Sequence, residues 1–346
     1  MKRNVKVFGT VAIVSLLLAG FASCHKSGRM NDRPIRIGFS TASDTFLLER
    51  WNKDIKIFTN VARELGAEVI LAKSPGNYQG QIPQIQYLFE QDIDVLVVIP
   101  QDMELLSGVI KKIMDRGIPV LSYDRPIMNI PITGYVSFDN REVGRLLAKA
   151  LIHEVPAGNY LLVNGSVRDN NSYEVNRGVY DILGPQIQAG RVKTVDEIWL
   201  ENWSFDEAKE KIGEVLNKTQ DIDAISCAND QIADAAIRLL AERRLAGKVA
   251  VVGQDADLLS CQRVVEGTQL MTVYKPLQKL AERAAEIAVS MAKGIIPEPD
   301  QYIDNNSGVD IPFYVEVPLA VYKEQMESII IKDGFHSRED IYRNIK

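Results

Sequence analysis

Val95-Leu96-Val97-Val98-Ile99 is a run without a polar side chain, preceded by Asp94 and followed by Pro100-Gln101-Asp102. A strand with one wet face alternates apolar and polar residues, whereas a run that is apolar at every position is buried on both faces. Strands of that kind belong to parallel sheets covered by helices on each side. Outward from it, β-rich runs recur at 36–40, 68–72, 120–123, 135–138, 160–164, 192–198, 224–227, 249–253 and 270–274, with helical periodicity between most of them. Gly66, Gly117 and Gly247 read as helix stops, and Ser204 with Glu207 reads as a capping box. Ten strands exceed what one doubly wound sheet usually holds, and no Pro/Ser-rich linker separates two sequential domains. The pattern predicts an α/β fold with two sheets and a chain that passes between them more than once.

The 346 residues are 46% hydrophobic and 25% charged, which excludes a disordered polyelectrolyte and a protein of many membrane spans. Acidic residues outnumber basic ones 46 to 40, so there is no cationic excess to neutralise the phosphates of a nucleic acid. Lys2, Arg3 and Lys6 precede an apolar stretch at 11–19, followed by small residues and Cys24. That order is a secretory signal, its apolar run too short to span a bilayer. Phe21-Ala22-Ser23-Cys24 resembles a bacterial lipobox, which makes 1–23 the signal, Cys24 a lipidated N-terminus and 24–34 a tether to the membrane facing the periplasm. Loss of the three basic residues takes the net charge from −6 to −9. Only Cys227 and Cys261 follow, too few for a disulfide framework, so stability must come from an apolar core. The surroundings of Cys227 favour a buried thiol, and a bridge between the two stays open.

In open α/β sheets, ligands bind beyond the carboxyl ends of the strands. Asp124 and Arg125 follow the run at 120–123, Asp169, Asn170 and Asn171 follow 160–164, Asn229 follows 224–227, Asp255 and Asp257 follow 249–253, and Lys275 follows 270–274. Arg50 and Trp51 lie beyond the first strand, and Trp199 and Trp203 beyond 192–198. Singly, an Asp or Asn in such a place is commonly a helix N-cap, and Asp230, Asp257, Asn140 and Asn170 read best that way. Trp199 reads as core. Recurrence at one sheet edge argues for a shared site. There Arg50, Arg125 and Lys275 balance Asp124, Asp169 and Asp255, and no glycine-rich phosphate loop is present. A neutral polyol suits this set, because each hydroxyl both donates and accepts. Tryptophan faces suit the C–H faces of a pyranose.

Other chemistries find little support. His25, His153 and His336 are far apart, no Cys/His spacing suits zinc, and no dinucleotide or serine-nucleophile motif occurs, so neither metal nor cofactor is expected. Asp255 and Asp257 form a carboxylate pair of the sort glycosidases use, but two acids so spaced after a strand divide more naturally into a ligand contact and a cap. The expectation is a binding protein, not an enzyme.

The strings Leu48-Glu49-Arg50-Trp51, Tyr123-Asp124-Arg125, Asp169-Asn170-Asn171, Gly253-Gln254-Asp255-Ala256-Asp257 and Thr272-Val273-Tyr274-Lys275-Pro276 occur in this order. Through them the chain resembles the type I periplasmic sugar-binding family over residues 35–336. The resemblance implies two doubly wound parallel-sheet lobes joined by a three-crossover hinge near Asp139, Lys275 and Tyr302. On that division 35–139 plus 276–302 form the N-terminal lobe, 140–275 plus 303–336 the C-terminal lobe and tail, and 337–346 an extension. It implies polar contacts to sugar hydroxyls from Arg50, Asp124, Arg125, Asp169, Asn171, Asn229, Asp255 and Lys275, and stacking by Trp51 and Trp203. The implied ligand is a monosaccharide, a pentopyranose of the xylose kind. The implied partner is an ABC permease, the alternative being the periplasmic domain of a membrane sensor kinase. The sequence departs from the family in a longer first loop at 40–46 and at Ser172-Tyr173.

Overall fold

The computed structural model describes residues 33–41, 48–73 and 78–345; the expected signal, Cys24 and most of the first loop lie outside the described residues. The first sheet begins with β1 (Ile35–Thr41), β2 (Ala67–Lys73), β3 (Val95–Ile99), β4 (Val120–Tyr123) and β5 (Gly134–Phe138). The second holds β6 (Gly158–Ser166), β7 (Val192–Leu200), β8 (Ala224–Cys227), β9 (Ala250–Gln254) and β10 (Met271–Tyr274). These ten strands are the ten that the sequence predicts, with ends shifted by a residue or two in most. Each group runs parallel in the same spatial order, β2-β1-β3-β4-β5 and β7-β6-β8-β9-β10, so the two halves share one doubly wound topology.

The helices are α1 (Leu48–Glu64), α2 (Gln81–Phe89), α3 (Ser107–Met114), α4 (Asn140–Glu154), α5 (Asn170–Gln188), α6 (Phe205–Lys218), α7 (Asp230–Glu242), α8 (Leu258–Glu266), α9 (Leu277–Ala292) and the short α10 (Arg338–Ile341). All five residues of β3 are buried. Its neighbours explain why: Val95, Val97 and Ile99 pack with side chains of α1 and α9, while Leu96 and Val98 pack with those of α2 and α3. In the second sheet α4 and α5 cover one face and α6 and α7 the other. The pair α4/α5 is packed backbone to backbone. A Cβ on Gly144 would lie 1.9 Å from the Val175 carbonyl oxygen, and one on Gly178 would lie 1.9 Å from that of Arg141. Only glycine at both positions allows this approach, which sets the first turns of α4 against the middle of α5.

The chain passes between the sheets three times. It leaves the first after β5, where Asp139 caps α4 through a bond from Glu142 N (2.8 Å). It returns after β10 at Lys275-Pro276, since α9 packs on the first sheet. The third passage corrects the sequence expectation of Tyr302. Residues 303–316 stay with the first sheet: β11 (Gln301–Asp304) and β12 (Asp310–Glu316) form an antiparallel hairpin, and β12 extends that sheet by pairing parallel to β5. Ile311 and Phe313 are buried in the core beside Tyr135, which holds the hairpin there. The crossing falls at Val317-Pro318, before β13 (Leu319–Val321) joins β10 antiparallel in the second sheet. The tail from Tyr322 onward folds against α8 through Met326, Ile330 and Ile341.

Candidate functional site

The carboxyl ends of β4, β6, β8, β9 and β10 converge on one small cavity lined by Asp124, Arg125, Asp169, Asn171, Trp203, Asn229, Gln254, Asp255 and Lys275. Eight of these nine are residues the sequence singled out. Asp124 and Arg125 come from the first sheet, the others from the second. Arg50 lies in the first turn of α1, but its side chain lies outside the described residues. Trp51 is not an exposed helix residue; it is 2% exposed, and the Arg125 guanidinium lies over its ring at 5.7 Å.

Asp169 ties the site together. Its Oδ1 accepts from Asn171 N (3.0 Å) and caps α5, while its Oδ2 takes Trp203 Nε1 (3.0 Å) and Arg125 Nε (2.8 Å). The sequence assigned this cap to Asn170 and that of α7 to Asp230. In each case the preceding residue does the work, because the N-cap must keep extended backbone while its side chain reaches forward. Asn229 caps α7 by accepting from Ile232 N (2.9 Å), which turns its amide donor toward other partners. The cap of α4 likewise falls on Asp139 instead of Asn140, and Asp257 stands at the N-cap position of α8, although its side chain accepts no capping bond from that helix. Trp199, expected in the core, is half-buried against the Tyr173 ring at 4.9 Å. Trp203 lies flat on the chain: a Cβ on Gly165 would fall 2.1 Å from its ring.

Two site residues hold unusual backbone. Asp124 has φ +61° and Asp255 φ +100°, followed by Ala256 at +54°, all in the region that L side chains disfavour. Each is fixed by its surroundings. The Asp124 carbonyl accepts from Ser137 Oγ (2.7 Å), Asn171 Nδ2 (2.9 Å) and Tyr135 Oη (3.0 Å). Ala256 donates its N–H to Thr272 Oγ1 (3.1 Å), and its carbonyl accepts from His336 Nε2 (2.8 Å). The Asp255 carboxylate lies 3.5 Å from Lys275 Nζ, whose side chain is 5% exposed. Strain at such positions aims side chains that a regular strand end would leave pointing elsewhere.

Protein contacts across the cavity already join the sheets. Besides Arg125 to Asp169, Arg168 Nη1 lies 3.3 Å from Asp102 Oδ2, and Met103 N donates to the Arg168 carbonyl (3.0 Å). Farther round, Lys53 Nζ of α1 lies 5.0 Å from the centre of the Phe335 ring in the tail. Cys227 and Cys261 are both buried and free, which settles the open pairing; burial pushes both thiols up.

Behind the site Asp230 is 1% exposed and accepts from Thr272 Oγ1 (2.8 Å), Gln269 Nε2 (2.8 Å) and Asp257 N (3.1 Å). Burial, then the neighbouring Asp257 and Asp255 charges, hold its carboxyl well above the usual range; the Thr272 and Gln269 bonds oppose this without offsetting it. An acid raised by folding contributes stability that is complete below its unfolded pKa of about 4 and is lost as pH rises through the folded value. Asp230→Asn removes that titration, so its Tm relative to the unaltered protein should climb as the pH is raised from about 4 to 8. Thermal melts across that range check this, and a difference constant with pH would contradict it.

Residues 43–295 match the family described as the periplasmic binding protein domain. The chain belongs to this family. Two relatives match nearly end to end: a D-xylose-binding periplasmic protein of Haemophilus influenzae, 42% identical over 91% of this chain and 95% of its own, and one of Escherichia coli, 41% identical over 94% and 96%. Among solved structures, a carbohydrate transporter solute binding protein of Chloroflexus aurantiacus in complex with D-glucose superposes with a TM-score of 0.82. It is 24% identical, covering 88% of this chain and 97% of that one, and it shares the fold. This periplasmic binding protein thus has the two-sheet architecture of its family, a family of binders and not of catalysts. Gln254 is the cavity residue that sequence reasoning passed over, although it stands in the quoted string beside Asp255.

Proposed function

We propose that this periplasmic binding protein captures D-xylose, or a closely related pentopyranose, between its two sheets and delivers it to an ABC transporter. The observation that carries this reading is the cavity. Side chains from both sheets meet there, with Arg125 and Lys275 set against Asp124, Asp169 and Asp255, so the surroundings suit a neutral polyhydroxylated ligand. The two relatives above 40% identity, both named for D-xylose, support a pentose. Each sheet with its helices acts as a lobe, and the three passages at Asp139, Lys275 and Val317-Pro318 act as the hinge. Closing the hinge would form the contacts from Asp169 to Arg125 and from Arg168 to Asp102 around the sugar. Cys24 after Phe21-Ala22-Ser23 supports a lipid tether that keeps the protein beside its permease.

Calorimetric titration with D-xylose, L-arabinose, D-ribose and D-glucose tests the reading. One site per chain is expected, tightest for D-xylose. Binding to none of the four would defeat it.

A further inference from the structure

Gln254 is the last residue of β9, 3% exposed, and lines the cavity between Asn229 and Asp255. Its Nε2 donates to the Ala228 carbonyl, and its Oε1 has no hydrogen-bond partner among the described residues. The direction of the amide is fixed by chemistry. A carbonyl oxygen only accepts, so the flipped amide would set two oxygens against each other. The oxygen must therefore point away from Ala228. Its situation differs from that of Asp169, whose oxygens take donors from Asn171, Trp203 and Arg125. A buried acceptor without a donor costs free energy that a ligand hydroxyl can return.

We infer that Gln254 determines specificity: its side-chain oxygen accepts a hydrogen bond from one hydroxyl of the bound monosaccharide, and the site therefore requires a donor at that position. The inference rests on the pentose reading above and deepens it. Because Gln254 is neutral and its nitrogen is engaged, it selects by donor geometry and not by charge. A ring oxygen, an ether or a fluorine at that position cannot satisfy it. The contact is braced through the peptide that leads into Asn229, so the two amides act from the joined ends of the neighbouring strands β8 and β9, Gln254 accepting and Asn229 free to donate.

The test deletes the donor on the sugar and the acceptor on the protein together. D-Xylose and its 2-, 3- and 4-deoxyfluoro analogues are titrated against the unaltered protein, Gln254→Met and Gln254→Glu. Fluorine keeps the size of a hydroxyl but donates nothing. One analogue should bind the unaltered protein about tenfold or more weakly than D-xylose, and that penalty should shrink below about twofold in Gln254→Met. The penalties of the other two analogues should stay the same. Gln254→Glu, which keeps an oxygen at the position, should restore the penalty. General loosening of the site would lower all penalties alike. If D-xylose binds but no single penalty collapses in Gln254→Met, the inference falls while the pentose reading stands. If the unaltered protein binds no sugar, both fall. Should Gln254→Met fail to fold, Gln254→Leu serves as the second apolar variant, judged by the same collapse.

Discussion

Replacing Asp169 by Ala is expected to weaken pentose binding by about a hundredfold or more, equivalent to about 2.8 kcal/mol. Three donors converge on this carboxylate: the Asn171 amide that starts α5, the Trp203 indole and the Arg125 guanidinium. Arg125 belongs to the first sheet and Asp169 to the second, and their side chains are 7% and 3% exposed. Breaking a buried pair by removing one partner costs about 3 to 5 kcal/mol, because the remaining charge stays desolvated. Here the lobes have an escape. When they separate, water reaches Arg125, so most of the cost falls on the closing step and appears as lost affinity, with stability less affected. The loss of the helix cap adds about 1 kcal/mol to folding. Calorimetry on Asp169→Ala, Arg125→Met and the double variant separates these effects: the two single losses should sum to more than the double loss. Additive losses would mean that the pair does not act as a unit. An unchanged affinity in Asp169→Ala would remove Asp169 from the site.

How much of this was legible before the structure depended on how local each signal is. Most of the ten core strands were readable because they are short apolar or β-rich runs between glycines or polar turns, a pattern set by the strand's own neighbours; β7 carries Lys193, Thr194, Asp196 and Glu197 and was legible through its β-branched residues instead. The hairpin of β11 and β12 was not. Gln301 to Asp304 is mostly exposed, and Pro312 interrupts the second strand, a residue that normally demotes such a run to an edge. Its place in the first sheet is decided by Ile311 and Phe313 meeting Tyr135, a contact across some 175 residues that no periodicity reveals. The site shows the same division. Asp124, Asp169, Asn229 and Asp255 stand out as polar residues at strand ends. Their division of labour does not, since Asp169 and Asn229 are at once caps and cavity residues, a pairing that a choice between cap and contact misses. Gln254 ends a buried strand like any residue about to turn to solvent. Only its bond to Ala228 shows that one end is spoken for and the other is open.

Asp255→Ala should weaken pentose binding at least tenfold, about 1.4 kcal/mol or more, for reasons that differ from those at Asp169. Asp255 and Lys275 sit on adjacent strand ends of the same sheet, 3.5 Å apart, so opening the hinge does not part them. Lys275 has a nearly buried side chain, and its ammonium would then lose the one carboxylate paired with it among the described residues, a pair that lies within one sheet. Part of the cost therefore appears in Tm even without sugar. A second part is conformational. Asp255 holds φ +100°, a region in which Asp and Asn are met more often than Ala, and Ala at this position is strained as well as uncharged. Asp255→Asn isolates the charge, because it keeps the backbone tolerance and one acceptor oxygen, and it should lose less affinity than Asp255→Ala. Adding Lys275→Met to Asp255→Ala removes the orphaned charge. It should recover Tm yet leave binding weak, because both polar contacts proposed for the sugar are then gone. Recovery of affinity along with Tm would show that Asp255 supports the fold of this strand end and makes no contact with the ligand.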